Sequence, residues 1–385
     1  LFLMPFVYFA TACFVVWLVK TSGIYPSGSD TMYHVYRGDY VYNAIKSGNW
    51  YPLYDPAWYN GVEILRYWSP FPAYVMAFCQ YLAGGSQFGA YLFYIGGVCF
   101  LGACVWPFIG RGFNRPYLGA FIGLLWFFMP NNLCAIFIEG NLARSLSMIF
   151  LPVFIYSVYK YLYNHKLRYI PLMVFTFLLM ELCHLGYAGM VAIAVIIYGI
   201  VYMIQKGRKK AVLDVVISMI FGFMLLGIWL VASLRGGITS LDNSENMANF
   251  FQNLWITINP FERLTRGFEY FYFGFATLIV IVFGILFGYK KSRTGFVTGF
   301  IILLMTTKSA YAVLKHLPGS QYLWMLRFIS IALCMILMSF LMWDRLKKTL
   351  VLMLCVLLVV DTIPSLSPVS YTHLRDHETR RHLVC

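Results

Sequence analysis

The chain has 385 residues, of which 61% are hydrophobic, 19% aromatic and 11% charged, with a mean hydropathy of +0.72. These values exclude disorder, a collagen-like fibre and an ordinary soluble domain, where charged residues approach about a quarter of the chain. An outer-membrane barrel is excluded as well, because its strands alternate in pieces of about 10 residues and this chain carries unbroken apolar runs about twice as long. The formal charge of +14 has to be explained by where the cations lie.

Apolar runs able to cross a bilayer cover 1–19, 88–109, 117–131, 146–163, 169–184, 187–205, 211–233, 271–289, 294–309, 322–343 and 349–363. A twelfth, 69–84, is short and broken by Pro70 and Pro72. A hydrocarbon core of about 30 Å needs about 20 helical residues. The expected fold is therefore an all-α polytopic membrane protein with about 11–12 transmembrane helices, some short or re-entrant. Residues 1–369 read as one transmembrane domain. Leu1 lies inside an apolar run, so further chain is expected upstream. Composition breaks at Ser370–Cys385, which resembles a translated sequencing-adapter tail and is set aside from the fold. The Cys of the remaining chain lie in or beside apolar runs, with no CxxC and no zinc-finger spacing. They read as small core residues rather than a disulfide framework.

Five connections are basic: Arg111–Arg115, Lys160–Arg168, Lys206–Lys210, Lys290–Arg293 and Arg345–Lys348. They hold 15 Lys and Arg against Asp214 and Asp344, whereas the other connections hold 11 Lys and Arg and 11 acids. That asymmetry predicts the basic loops to be cytoplasmic. The net charge is then mainly a topology signal, with some attraction to anionic lipid, and does not call for nucleic acid. Parity works if 69–84 lies at the outer surface or re-enters. The alternative lets 69–84 cross and makes 117–131 re-entrant.

The outer side then holds a large first loop, 20–68, and a second long loop, 234–270. Loop 20–68 is too long for a mere connector. Within it, Ser29 or Asp30 suits a helix N-cap before TMYHVYRGDYVYNAI. Asp30, His34 and Arg37, spaced i, i+4, i+7, share one helical face. Tyr33, Tyr36 and Tyr40 form a neighbouring aromatic face, predicted to meet lipid in an interfacial helix. Asp30 divides between a helix cap and an acid of a site. Trp50 and Trp58 divide between a membrane belt and a sugar-stacking platform.

Further polar residues recur at outer span ends. Glu139, Asn141 and Arg144 lie in IEGNLAR, and Glu181 and His184 in ELCHLGYAG. Arg235, Glu262, Arg263, Arg266 and Glu269 lie in or beside the second loop, and Lys308, His316 and Arg327 flank the 310–321 turn. Ionisable groups at membrane depth are costly and usually face a cavity or a partner, although Glu139 and Arg144 could simply pair. There is no P-loop lysine, no GxGxxG, no HExxH and no GxSxG.

The order of features resembles the GT-C superfamily of integral-membrane glycosyltransferases, with a first span, a large outer loop bearing an early acid, and many spans. More closely, it is similar to the membrane protein family labelled 6-pyruvoyl-tetrahydropterin synthase-related. The residues that carry the likeness are Asp30 and His34, Gly48-Asn49-Trp50-Tyr51-Pro52, Asn60-Gly61, Ser69-Pro70-Phe71, Glu139-Gly140-Asn141-Leu142-Ala143, His184 and Leu326-Arg327-Phe328. The pterin label does not carry over as activity. A soluble pterin synthase uses a His-ligated zinc in an α+β fold, and neither pattern is present.

The resemblance implies transfer of a sugar from a polyprenyl-phosphate donor to an acceptor on the outer side of a bacterial or archaeal plasma membrane. It implies Asp30, His34 and Glu139 as catalytic candidates, with Asp30 as general base, or Asp30 and Glu139 holding a divalent metal. Arg37, Arg235, Arg263, Arg266 and Arg327 are candidate phosphate partners, since the guanidinium fork matches phosphate oxygens. His184, Trp50 and Trp58 complete the substrate-binding set. Membrane lipid and the polyprenyl-linked sugar are the expected partners, and no protein partner is implied. The alternatives are a lipid or glycan transporter or flippase, which would favour internal repeats, and a non-catalytic assembly subunit.

Overall fold

The structure is a computed structural model that describes residues 1–26, 28–58, 61–235, 273–317, 320, 323–343 and 346–371. Among them no strand forms, an isolated bridge joins Asp55 to Val62, and the architecture is all-helical. Helix α1 (Met4–Ser22) is followed by two helices of the first loop, α2 (Thr31–Lys46) and α3 (Ile64–Tyr67), and then by α4 (Phe71–Leu82). Next come α5 (Gln87–Gly112), α6 (Pro116–Trp126), α7 (Pro130–Phe137), α8 (Leu142–Asn164), α9 (Tyr169–Lys206), α10 (Lys209–Leu225) and α11 (Gly227–Arg235). The last group is α12 (Phe275–Phe287), α13 (Lys290–Met305), α14 (Lys308–Leu314), a 3₁₀ turn Met325–Arg327, α15 (Phe328–Met342) and α16 (Lys348–Tyr371).

Five of these helical stretches are long and apolar enough to cross a membrane, and up to seven if the bent pairs α6–α7 (42°) and α10–α11 (65°) each count as one span. The sequence led to 11–12. Part of the gap is that α9 contains two of the expected runs. Its 38 residues would extend about 57 Å if straight. Instead, the Tyr202 hydroxyl donates to Leu162 O (2.6 Å), and Arg208 contacts the His165 ring. The end of α9 therefore lies beside the residues that precede its start, so the helix doubles back. The reversal falls at His184, the one residue inside α9 with extended backbone (φ −156°, ψ 94°). Another part is length: α12 and α13 have 13 and 16 residues, short of the roughly 20 a perpendicular crossing requires.

The basic connections gather at one end of the bundle. Lys160 Nζ donates to Gly112 O, Arg208 meets His165, and the Tyr163 hydroxyl donates to Lys291 O (3.1 Å). The Phe296 and Trp343 rings lie 5.8 Å apart, which brings the last basic connection to the same end. Helix α8 starts at Asn141 and ends at this basic end after 23 residues, a rise of about 34 Å that matches a hydrocarbon core. Helix α4, at 12 residues, is about 18 Å long and does not cross. Its first turn follows Ser69 at the far end of the bundle, where Ser69 meets Glu181 O and Leu185 N.

The core lies around α8 and α15. In these two, 83% and 94% of the most apolar window is buried, against 22% in α1. Helix α1 instead turns Phe6, Phe9 and Trp17 outward, as a helix facing lipid would. It is fastened to the bundle by Val15 and Val19 in the core and by the Tyr8 hydroxyl on Ala120 O (2.9 Å).

Candidate functional site

The end opposite the basic connections holds a cavity of about 620 Å³. Its wall is built from five separate stretches of chain. The first loop supplies Asp30, Tyr33, His34, Arg37, Trp58, Tyr67, Trp68 and Ser69. The start of α8 supplies Asn141 and Ala143, and the break in α9 supplies Cys183, His184, Leu185 and Gly186. Helix α11 adds Trp229, Leu230 and Ser233, and the turn before α15 adds Trp324 and Arg327.

Helix α2 presents Asp30, His34 and Arg37 to this space, as their i, i+4, i+7 spacing requires. Asp30 occupies the N-cap position of α2, but its side chain makes no capping bond. Its carboxylate is left to the cavity, with the Ser29 hydroxyl at 3.4 Å. What holds the start of α2 is backbone. Asp30 N donates to Glu139 O (2.9 Å), and the Ser29 hydroxyl donates to the same oxygen (2.9 Å). Gly28 and Gly140 make this close approach possible. A Cβ on Gly28 would fall 2.7 Å from Gly140 Cα, and one on Gly140 would fall 2.6 Å from Thr31 N. Gly140 also has φ +63°, in the left-handed region that glycine enters without penalty.

The aromatic face of α2 is partly covered by its own loop. Tyr33 stacks on Trp58 (5.6 Å, 12° between planes), and the Tyr36 hydroxyl donates to Asp55 Oδ2 (2.6 Å). The reason is the Asp55–Val62 bridge, which folds the loop back over α2. Trp58 in turn lies parallel to Trp68 (6.2 Å), and the Arg37 guanidinium lies 3.9 Å from the Trp68 ring centroid and 5.5 Å from that of Trp58. Cation–π attraction of this kind fixes a guanidinium without neutralising it. Nε of Arg37 is buried with no hydrogen-bond partner among the described residues.

Below this wall lies an ion cluster. Glu139 accepts from Arg144 Nη2 at Oε1 (2.7 Å) and from Arg327 Nε at Oε2 (3.2 Å). Arg144 is wholly buried, and its Nε and Nη1 have no partner among the described residues. The Arg327 guanidinium lies 4.3 Å from the Trp324 ring centroid. Asn141 caps α8, its Oδ1 accepting from Arg144 N (2.9 Å), while its amide nitrogen lies 3.4 Å from His184 Nε2. His184 Nδ1 accepts from Tyr187 N (3.1 Å).

The break that places His184 is closed by a residue from the first loop. The Ser69 hydroxyl donates to Glu181 O (2.8 Å) and accepts from Leu185 N (3.2 Å). A carbonyl and an amide freed by the extended residue are thereby satisfied, which unwound backbone at membrane depth demands. Helix α11 closes the rim over α3: Trp229 Nε1 donates to Leu65 O (2.7 Å) and Arg66 Nε to Ala232 O (3.0 Å).

Electrostatics differ along α2. Burial raises the Asp30 carboxyl above its ordinary value, against the pull of Arg327. Burial, with Arg37 and Arg327 beside it, pushes His34 down to about 3, so its imidazole is neutral at physiological pH. Burial lowers Arg37 to about 10, and it stays charged.

The sequence-derived residues separate accordingly. Asp30, His34, Arg37, Trp58, His184 and Arg327 line one cavity. Glu139 lies directly beneath, spent on two guanidiniums. Trp50 is exposed, with its carbonyl accepting from the Tyr74 hydroxyl (2.7 Å), and Arg235 is exposed at the end of α11. Neither belongs to the cavity lining. Arg263 and Arg266, with most of the second long loop, lie outside the described residues, as do Asn60 and the tail beyond Tyr371. The proposed metal pair does not fit: both Glu139 oxygens are engaged, and among the described residues no three His, Cys, Asp or Glu come together as a metal site. Sequence reasoning singled out Ser69, in Ser69-Pro70-Phe71, but missed Trp68, Trp229 and Trp324. Trp68 and Ser69 sit in the WSPF run, where a Ser before a Pro beside an aromatic was the available signal.

A family model described as "6-pyruvoyl-tetrahydropterin synthase related domain; membrane protein" matches residues 65–369. The chain belongs to this family of membrane proteins. The matched region contains the Glu139 cluster, the His184 break and Arg327, while α2 lies before it. No curated protein matches the chain.

Proposed function

We propose that this membrane protein transfers a sugar from a polyprenyl-phosphate donor to an acceptor hydroxyl, in the cavity at the end of the bundle opposite its basic connections. The observation that carries the reading is the convergence of Asp30, His34, Arg37, His184 and Arg327 on one aromatic-walled space. Arg37 and Arg327 offer guanidinium N–H groups to a phosphate. The His184 ring lies at the same wall. The exposed faces of the tryptophans suit a sugar ring. Asp30 has a carboxyl spared from capping and raised by burial, and a base closer to neutrality accepts a proton more effectively. In the reaction the acceptor oxygen attacks the anomeric carbon as its proton passes to Asp30. The anomeric C–O bond breaks, and the phosphate leaves with the electron pair, its charge held by the arginines.

The test is Asp30→Asn, with transfer from a labelled polyprenyl-phosphate sugar measured in membrane vesicles. Loss of a positioned general base is expected to lower the rate about 10²–10⁴-fold at normal protein level. Unchanged transfer sinks the role of Asp30. Movement of labelled lipid across the membrane without transfer would replace this reading with a transporter.

A further inference from the structure

The basic end carries a second cavity, about 960 Å³, between the end of α8, the start of α9 and the α9–α10 connection. Its cations are Arg208, Lys209 and Lys210, all exposed. One carboxylate lies among them, Asp214, and it accepts from the Tyr161 hydroxyl (2.5 Å) rather than pairing with a cation. Arg208 Nη1 meets His165 Nε2. Three cations thus face the space against one carboxylate. The remaining lining is apolar and includes Leu167 and Ile170. Leu167 is 72% exposed, and Ile204 and Leu213, four residues before Arg208 and three after Lys210, are 81% and 56% exposed. Side chains so apolar on a membrane protein's flank are lipid-facing. The cavity therefore sits where basic groups and acyl chains meet.

We propose that this cavity binds the phosphodiester headgroup of an anionic phospholipid, with Lys209 and Lys210 on the phosphate and the acyl chains running along Ile204 and Leu213. A basic pocket between transmembrane helices is suited to an anionic headgroup, and the exposed Leu167, Ile204 and Leu213 select a lipid over a free anion. The site is about a membrane thickness from the first cavity and does not depend on what that cavity does.

The test is native mass spectrometry of the detergent-solubilised protein titrated with phosphatidylglycerol, phosphatidylcholine or inorganic phosphate. Two variants are compared, Lys209→Gln/Lys210→Gln and Lys290→Gln/Lys291→Gln. Both remove two exposed cations from the basic end, but only the first pair lines the cavity. The expected result is preference for phosphatidylglycerol over phosphatidylcholine, weakened about tenfold or more in the first variant, at about one factor of five per cation, and less than about twofold in the second. Equal losses in both variants overturn the proposal in favour of diffuse surface charge. Equal binding of phosphatidylcholine overturns it, and so does inorganic phosphate binding as tightly as the lipid.

Discussion

The two ends of the bundle handle charge in opposite ways. At the cavity end acids and guanidiniums are interleaved, buried and bonded: Glu139 with Arg144 and Arg327, and Arg37 against Trp68. At the basic end cations of one sign lie exposed, and Lys206, Lys209, Lys210, Lys290 and Lys291 all face outward. An exposed lysine keeps its water and costs little, whereas a buried guanidinium must replace every lost hydrogen bond. Charge at the basic end can therefore vary one residue at a time. Charge at the cavity end is a mutually dependent set.

Substitutions can break that comparison. The largest effect is expected from Glu139→Gln, which leaves Arg144 and Arg327 buried without a counter-ion and should cost about 3–5 kcal/mol. Denaturant unfolding in detergent measures it; a cost near that of Lys291→Gln, expected within about 0.5 kcal/mol, would erase the distinction between the ends. Gly140→Ala comes next. It forces a Cβ toward Thr31 N at a positive φ and should cost about 2–3 kcal/mol while separating Asp30 from the ion cluster. Thermal unfolding of that variant, if unchanged, would show that the close approach of Gly28 and Gly140 is not needed.

Ser69→Ala should cost about 2 kcal/mol, because Glu181 O and Leu185 N lose their bridge. Hydrogen exchange at Leu185 should rise in that variant; continued protection would mean the break is closed by something else.

The smallest expected effect concerns pH. His34 has a folded value of about 3 against an ordinary 6.5, so the unfolded chain binds a proton that the native protein does not. Stability is then lost as pH falls below about 6.5 and continues to fall toward 3. At pH 5 the loss traceable to this ring should be about 1–2 kcal/mol, reduced by its partial exposure, and His34→Gln should flatten that part of the profile. A variant with the same acid sensitivity as the parent would place the acid-labile group elsewhere.

Much of this was legible in the residues, and the reason is local in each case. The Asp30, His34, Arg37 face follows from helical spacing alone, and the gathering of basic connections follows from charge asymmetry between alternate loops. The pairing of Arg327 with Glu139 was not legible, since 188 residues separate them and no periodicity reports such contacts. Trp229 and Trp324 were equally hidden, each a single ring at a span end with nothing nearby in sequence to mark it. The place of Trp58 in the cavity wall was hidden for a related reason: an aromatic at the interface can face lipid or its own loop, and the Asp55–Val62 bridge folds this one over α2.

The sequence by itself determined the class of molecule, the apolar runs and which loops share a side, because transfer of side chains into hydrocarbon is a sum over residues and hardly depends on their partners. Tertiary structure alone decided that Ser69 closes the break at His184, and that Glu139 balances arginines instead of facing a substrate. Each of those outcomes depends on a hydrogen bond or ion pair between distant segments, and such a bond exists only once the helices have packed.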